Sequence, residues 1–127
     1  MEVILDTNAI SALADGNTAL KTLLLREQVH QLPVIVLGEY RYGLKRSRER
    51  SARERWLDEL EDIFEILDIT SNTSRSFAQI RHELREAGTP IPENDLWIAS
   101  LAREHRLAIA TQDKHFDHVT DLHRLSW

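Results

Sequence analysis

A three-layer α/β domain built around a mostly parallel sheet is the fold this sequence predicts. Two observations carry that expectation. Short aliphatic and β-branched runs (Val3-Ile4-Leu5, Pro33-Val34-Ile35-Val36 and Leu107 to Ala110) alternate with longer stretches whose apolar residues recur at helical spacing. The connections between them are short, with no internal repeat, low-complexity segment or linker. The 127 residues are expected to form one domain, residues 1–127, large enough to bury roughly two-thirds of the unfolded surface.

The elements follow in order. Met1 leads straight into Val3-Ile4-Leu5, a buried strand that stops at the polar Asp6-Thr7-Asn8 and turns into a helix. After Gly16-Asn17, Leu20, Leu23 and Leu24 mark a second helix. Pro33 to Val36 reads as the second strand, and Leu37-Gly38-Glu39-Tyr40 as the opening of the helix behind it. A long helix then carries Trp56, Leu57, Leu60, Ile63, Phe64 and Leu67 on one face. Ile66 to Ile69 reads as a third strand. Thr73 or Ser74 is positioned to cap the next helix, with Phe77, Ile80 and Leu84 as its apolar face and Gly88 at its end. Thr89-Pro90-Ile91-Pro92 breaks the chain, because prolines two apart cannot sit inside a helix. The following helix, about Glu93 to His105, is expected to pack through Leu96, Ile98, Ala99, Leu101 and Ala102. Leu107 to Ala110 is a fourth strand, and Leu122 to Trp127 a final edge strand.

Composition removes several function classes. With no cysteine there are no disulfides, no Cys-rich zinc site and no thiol catalysis. The apolar runs are far too short to span a membrane, and the start lacks the basic and apolar pattern of an export signal. A cytoplasmic location with no membrane contact is expected. The net charge of -5 opposes bulk attraction to nucleic acid. Residues 41–55, however, hold seven basic residues against two acids, a local charge of +5. That stretch suits phosphate contact or a solvated helix face with ion pairs three and four apart.

Chemistry enters at the strand ends. Ligands of open α/β sheets bind beyond the carboxyl ends of the strands. Asp6 closes the first strand, Asp113 follows the Leu107–Ala110 strand, Glu39 follows the second strand, and Asp95 lies in the first turn of the helix behind the proline loop. Taken singly, each has a plain structural use as a helix cap, a dipole partner or a turn residue. Gathered at one edge, four carboxylates repel one another and need a counter-charge. A hard divalent cation with oxygen ligands, Mg²⁺ or Mn²⁺, supplies it. The reaction such an ion suits is phosphodiester hydrolysis.

Four segments in sequence, Asp6-Thr7-Asn8-Ala9-Ile10, Gly38-Glu39-Tyr40-Arg41-Tyr42-Gly43, Pro92-Glu93-Asn94-Asp95-Leu96-Trp97-Ile98-Ala99 and Thr111-Gln112-Asp113-Lys114-His115-Phe116, closely resemble the PIN-domain ribonucleases. More narrowly they resemble the VapC toxins of bacterial toxin–antitoxin pairs, from Met1 to Trp127. The resemblance implies a PIN-like fold and an acidic metal-binding quartet of Asp6, Glu39, Asp95 and Asp113. Asn8 and Thr111 would orient carboxylates or water. At the position of Asp113 many such toxins carry Asn, and Asp117 stands by as a substitute. Also implied are Mg²⁺- or Mn²⁺-dependent endonucleolytic cleavage of RNA, often tRNA or rRNA, a homodimer, and a cognate VapB-like antitoxin whose arm blocks the site. In the mechanism expected, Asp6, Asp95 and Asp113 hold the ion, and Glu39 positions or deprotonates the attacking water. Arg41, Lys45 and Arg46 lie downstream of Glu39 and are the candidate RNA-contacting rim.

Other features are weighed against simpler uses. His115 and His118, with His123 nearby, lack an aligned fourth ligand and are expected to be surface or turn histidines. Trp56 and Phe64 read as core or dimer contacts, Trp97 as a pocket-rim or interface residue, and Tyr40 and Tyr42 as base-stacking or packing residues. A haloacid-dehalogenase-like phosphatase needs an acid where Asn8 stands, and a receiver domain needs a phosphoacceptor Asp after its central strand. Neither is present. The remaining alternative is a PIN-like module that has lost catalysis and only binds RNA or protein.

Overall fold

The computed structural model describes residues 2–27 and 29–127. Met1, the expected lead-in to the first strand, lies outside them. The chain runs β1 (Glu2–Leu5), α1 (Thr7–Ala14), α2 (Thr18–Leu25), β2 (Val29–Pro33), α3 (Val34–Leu44), α4 (Arg50–Ile63), β3 (Glu65–Leu67), α5 (Ser71–Ala87), α6 (Glu93–His105), β4 (Ala108–Ala110), a short 3₁₀ helix (Lys114–His118) and β5 (Arg124–Leu125). Among the described residues five strands make one sheet in the order β3-β2-β1-β4-β5, every pair parallel. The α/β expectation holds: the sheet is flanked by the six helices. None of those helices is long and apolar enough to cross a membrane.

The core explains why β1 is central. Val3, Ile4 and Leu5 are fully buried, as are Ile10, Leu20, Leu32, Leu57, Ile80, Ile98, Leu101 and Ile109. A strand covered on both faces reads as a continuous apolar run, not as an alternation. Helix α6 packs through Leu96, Ile98, Ala99, Leu101 and Ala102, the face its spacing predicts. Phe77 of α5 stacks on Trp97 of α6 with ring centroids 4.0 Å apart, so Trp97 serves the packing of two helices. Tyr40 is buried beside Trp56, whereas Tyr42 is exposed.

Strands β1, β2 and β3 build outward in one direction, and α6 then returns the chain to place β4 on the other side of β1. The winding therefore reverses between β1 and β4. The crevice beyond their carboxyl ends is where open parallel sheets hold ligands.

Several element boundaries differ from the sequence expectation, each for a local reason. The second strand is Val29–Pro33, not Pro33–Val36. Pro33 has no N–H to continue a ladder, and Val36, Leu37, Tyr40 and Leu44 are buried at helical spacing. The strand itself is polar: Gln31 is buried and donates from Nε2 to Glu65 Oε2 at 2.9 Å across the β2–β3 pair. The apolar face expected to run from Trp56 to Leu67 breaks at Phe64, whose ψ of 157° leaves the helix and feeds β3. Ile63 consequently faces solvent, and the third strand is Glu65–Leu67, in register with Gln31 to Pro33. Helix α5 starts earlier than a Thr73 or Ser74 cap would allow. Its N-cap is Thr70, and Thr73 Oγ1 accepts from Thr70 N at 3.0 Å as the reciprocal partner. The final edge strand is confined to Arg124–Leu125.

Gly88 ends α5 in the left-handed region, φ 71°, and a Cβ there would meet nothing within 4 Å. Gly88→Ala is therefore expected to cost about 1 kcal/mol through backbone conformation alone. Urea unfolding should show a lower midpoint with an unchanged slope.

Candidate metal centre

The site is built from the turns that leave β1 and β4. Asp6 ends β1 in extended conformation and becomes the N-cap of α1, because its Oδ1 accepts from Thr7 N at 2.8 Å. Its own N–H bonds Ala110 O, which fastens the turn to β4. Oδ2 accepts from Thr111 Oγ1 at 2.8 Å and from Asn8 Nδ2 at 3.4 Å. Thr111 is fully buried and its hydroxyl is used completely. It donates to Asp6 and accepts from Asn8 Nδ2 and Asp113 N, both at 3.0 Å. Asn8 Oδ1 accepts from Gln112 N at 3.1 Å, a second tie between the two turns.

Asp113 caps the 3₁₀ helix, accepting from His115 N at 2.9 Å. Asp95 lies in the first turn of α6, and Glu39 is carried by α3 after β2. Asp6 is the hub of the four: it couples to Glu39, Asp95 and Asp113, and Asp95 couples to Asp113 as well. The Asp6 carboxyl is raised above the ordinary range by burial, with the charge of Asp113 adding to the rise and hydrogen bonds from Thr111 and Thr7 opposing it. Glu39 is raised by burial and then by Asp6, with Asn94 and Thr7 opposing. Asp95 is pushed up to about 6, by burial first and also by Asp6 and Asp113, against the hydrogen bond from His115. Burial, more than mutual repulsion, raises the proton affinity of these three carboxyls.

The donor set fits a divalent cation on an observation independent of charge. Glu39 Oε1 and Thr7 Oγ1 are buried and near one another, yet neither makes a well-formed hydrogen bond, an arrangement proteins avoid unless a ligand completes it. The carboxylate oxygens around them are hard donors suited to Mg²⁺ or Mn²⁺. Asp95, Asp113 and His115 each offer an atom within 4.8 Å of the other two.

The other predicted residues sit differently. Arg41 is engaged with Asp58 and Glu61 of α4, while Lys45 and Arg46 are exposed just beyond α3. Asp117 makes a two-pronged pair with Arg124, at 2.8 and 3.0 Å. His118 and His123 are exposed. His115 was expected at the surface, and its side chain is 50% exposed, yet Nδ1 lies 3.2 Å from Asp95 Oδ2 and 3.0 Å from Asp113 Oδ1. Its pKa is raised, chiefly by the hydrogen bond with Asp95. Sequence reading missed this placement and that of Thr7. The available signal for His115 was its position two residues after a turn-capping acid, and for Thr7 its position beside Asp6.

The PIN domain family matches residues 3–122 of the chain. The chain is 32% identical over 115 residues to Ribonuclease VapC5 of Mycobacterium tuberculosis, covering 89% of this chain and 84% of that one. It is 30% identical over 132 residues to Ribonuclease VapC2 of Rickettsia felis, covering 100% and 98%. The structure superposes with a TM-score of 0.88 and 26% identity on a chain of VapBC2 from Rickettsia felis bound to a DNA fragment from its promoter, covering 100% and 99%.

The raised pKa of Asp95 makes a stability prediction. The folded protein binds this proton more tightly than the unfolded chain does, so the group's contribution to stability is largest below about pH 4 and is lost as pH rises through about 6. Asp95→Asn removes that loss. In metal-free buffer at pH 8 the variant should be more stable by about 1 kcal/mol, a figure reduced for the solvent that screens Asp95. The advantage should vanish near pH 4, as urea titrations across pH will read out.

Proposed function

Because the chain belongs to the PIN domain family, we propose that it is a divalent-metal-dependent endoribonuclease of the VapC type that cuts tRNA or rRNA. The observation that carries this reading is the electrostatic coupling of Glu39, Asp95 and Asp113 to Asp6 near the winding reversal, with a buried Glu39 oxygen that lacks a well-formed hydrogen bond. The ribonuclease names of the similar proteins support it.

Asp6, Asp95 and Asp113 would hold the ion. When bound, it supplies Lewis acidity and neutralises charge on the scissile phosphate. Asp6 is fixed for this by its hydrogen bonds to Thr7, Thr111 and Asn8, which hold a carboxylate that would otherwise swing. Glu39, with its elevated proton affinity, accepts the proton of the water that attacks phosphorus, and the P–O bond to the leaving nucleoside breaks in line. Exposed Lys45 and Arg46 contact the RNA backbone outside the acidic centre. Arg41 is held by Asp58 and Glu61 and would join this contact only by leaving them.

The partners follow the same reading. We take the protein to act in the cytoplasm as a homodimer, silenced by a VapB-like antitoxin, and its similarity to a chain of a VapBC assembly supports the last point.

The decisive experiment is induced expression of wild type and Asp6→Asn side by side, with total RNA sequenced at its 5′ ends. Growth arrest and discrete new ends are expected in the wild type only. Absence of both, with folding confirmed, would leave a PIN-like binding module. Charge reversal at Lys45 and Arg46 should weaken RNA binding to the Asp6→Asn protein and lower its salt dependence by about one counterion per residue.

A further inference from the structure

We propose that His115 is a nitrogen ligand of the metal centre beside Asp95 and Asp113, and that it biases the site toward Mn²⁺ over Mg²⁺. The inference rests on the metal-centre reading above and adds to it a residue type that a carboxylate quartet does not contain.

The geometry begins with Asp113. By capping the 3₁₀ helix it accepts from His115 N at 2.9 Å, which folds the histidine back over the same carboxylate. Nδ1 then stands 3.0 Å from Asp113 Oδ1 and 3.2 Å from Asp95 Oδ2. The two acids come from different elements, the turn after β4 and the start of α6, so the ring spans the gap between them. A ring nitrogen carries at most one proton, and one proton cannot serve two carboxylate oxygens equally well. A cation between them serves both oxygens and the nitrogen lone pair together. The spacings suit this: neighbouring ligands around a six-coordinate ion with bonds of about 2.1–2.2 Å stand about 3.0–3.1 Å apart.

The choice of ion follows from donor chemistry. Mg²⁺ favours oxygen donors and retains water, whereas imidazole suits the first-row transition ions. A centre of carboxylates with one imidazole should hold Mn²⁺ more firmly than Mg²⁺, and the difference should reside in His115. His118 and His123 are not part of the cluster.

The test uses the full chain without a histidine tag, loaded with Mn²⁺ below stoichiometry. Pulsed electron paramagnetic resonance of wild type should show nitrogen-14 modulation from a directly bound imidazole, and His115→Gln should abolish it. Calorimetric titrations should show the variant losing Mn²⁺ affinity by about tenfold or more, since losing groups that merely orient ligands costs 10–100-fold. Mg²⁺ affinity should change little. If Mn²⁺ binds saturably and Asp95→Asn removes it, but no nitrogen modulation appears in wild type, His115 is not a ligand and the carboxylate centre stands. Nitrogen modulation that persists in His115→Gln also overturns the assignment. No saturable binding of either ion to the wild type would overturn both this assignment and the metal-centre reading beneath it.

Discussion

Asp6 stands at the carboxyl end of the central strand with 4% of its surface exposed, and a carboxylate there is tolerated because three donors reach it. Thr7 N comes from α1, Asn8 Nδ2 from the same turn, and Thr111 Oγ1 from the far side of the winding reversal. Isolated buried charges cost several kcal/mol, so each donor offsets a penalty that the sheet itself cannot relieve. The bonds that make the residue affordable also fix where it points. Because Thr111 in turn accepts from Asp113 N, the position of the second acid depends on the same hydroxyl.

Around this carboxylate the protein departs from its own pattern of charge pairing. Elsewhere acids meet guanidinium groups: Asp58 and Glu61 hold Arg41, Glu49 and Asp15 hold Arg53, and Asp117 holds Arg124. Among the described residues no lysine or arginine pairs with Asp6, Glu39, Asp95 or Asp113, and His115 is the one basic partner of the last two. Burial and mutual repulsion of Asp6, Glu39 and Asp95 cost stability, and the fully buried residues of β1 and the helices around it supply the excess that tolerates them. Sites that store such a cost in a rigid frame release it when the ligand arrives.

The strand-ending acids were legible because their signal is local and topological. An apolar run followed by Asp needs no knowledge of its neighbours, and a parallel sheet sends all such ends one way. Element boundaries were less legible where tertiary contacts outweigh local pattern. The β2 sequence, Val29-His30-Gln31-Leu32-Pro33, looks polar. It becomes a strand because β1 pairs with it on one side and Glu65 satisfies Gln31 on the other. Val34-Ile35-Val36 looks like a strand and is helical, since its register places Val36 and Leu37 in the core together with Tyr40. The break at Phe64 was hidden because Leu67 continues the helical spacing by coincidence.

The turn after β4 shows the sharpest form of this limit. Its five residues, Lys114–His118, carry no periodicity that a sequence window can read. Three anchors nevertheless fix it: Phe116 is 1% exposed in the core, Asp113 caps its start, and Asp117 is clamped by Arg124 of β5. Held at three points, the two residues flanking Phe116 are sent to different partners, His115 to Asp95 and Asp117 to the edge strand. Sequence alone offers two similar polar neighbours of one aromatic. Only packing decides which of them reaches the acids, and a short segment locked in this way presents a side chain as rigidly as a helix does. The edge strand, which is only two residues long, thereby acquires a role beyond closing the sheet: through Arg124 it holds the turn that presents both Asp113 and His115.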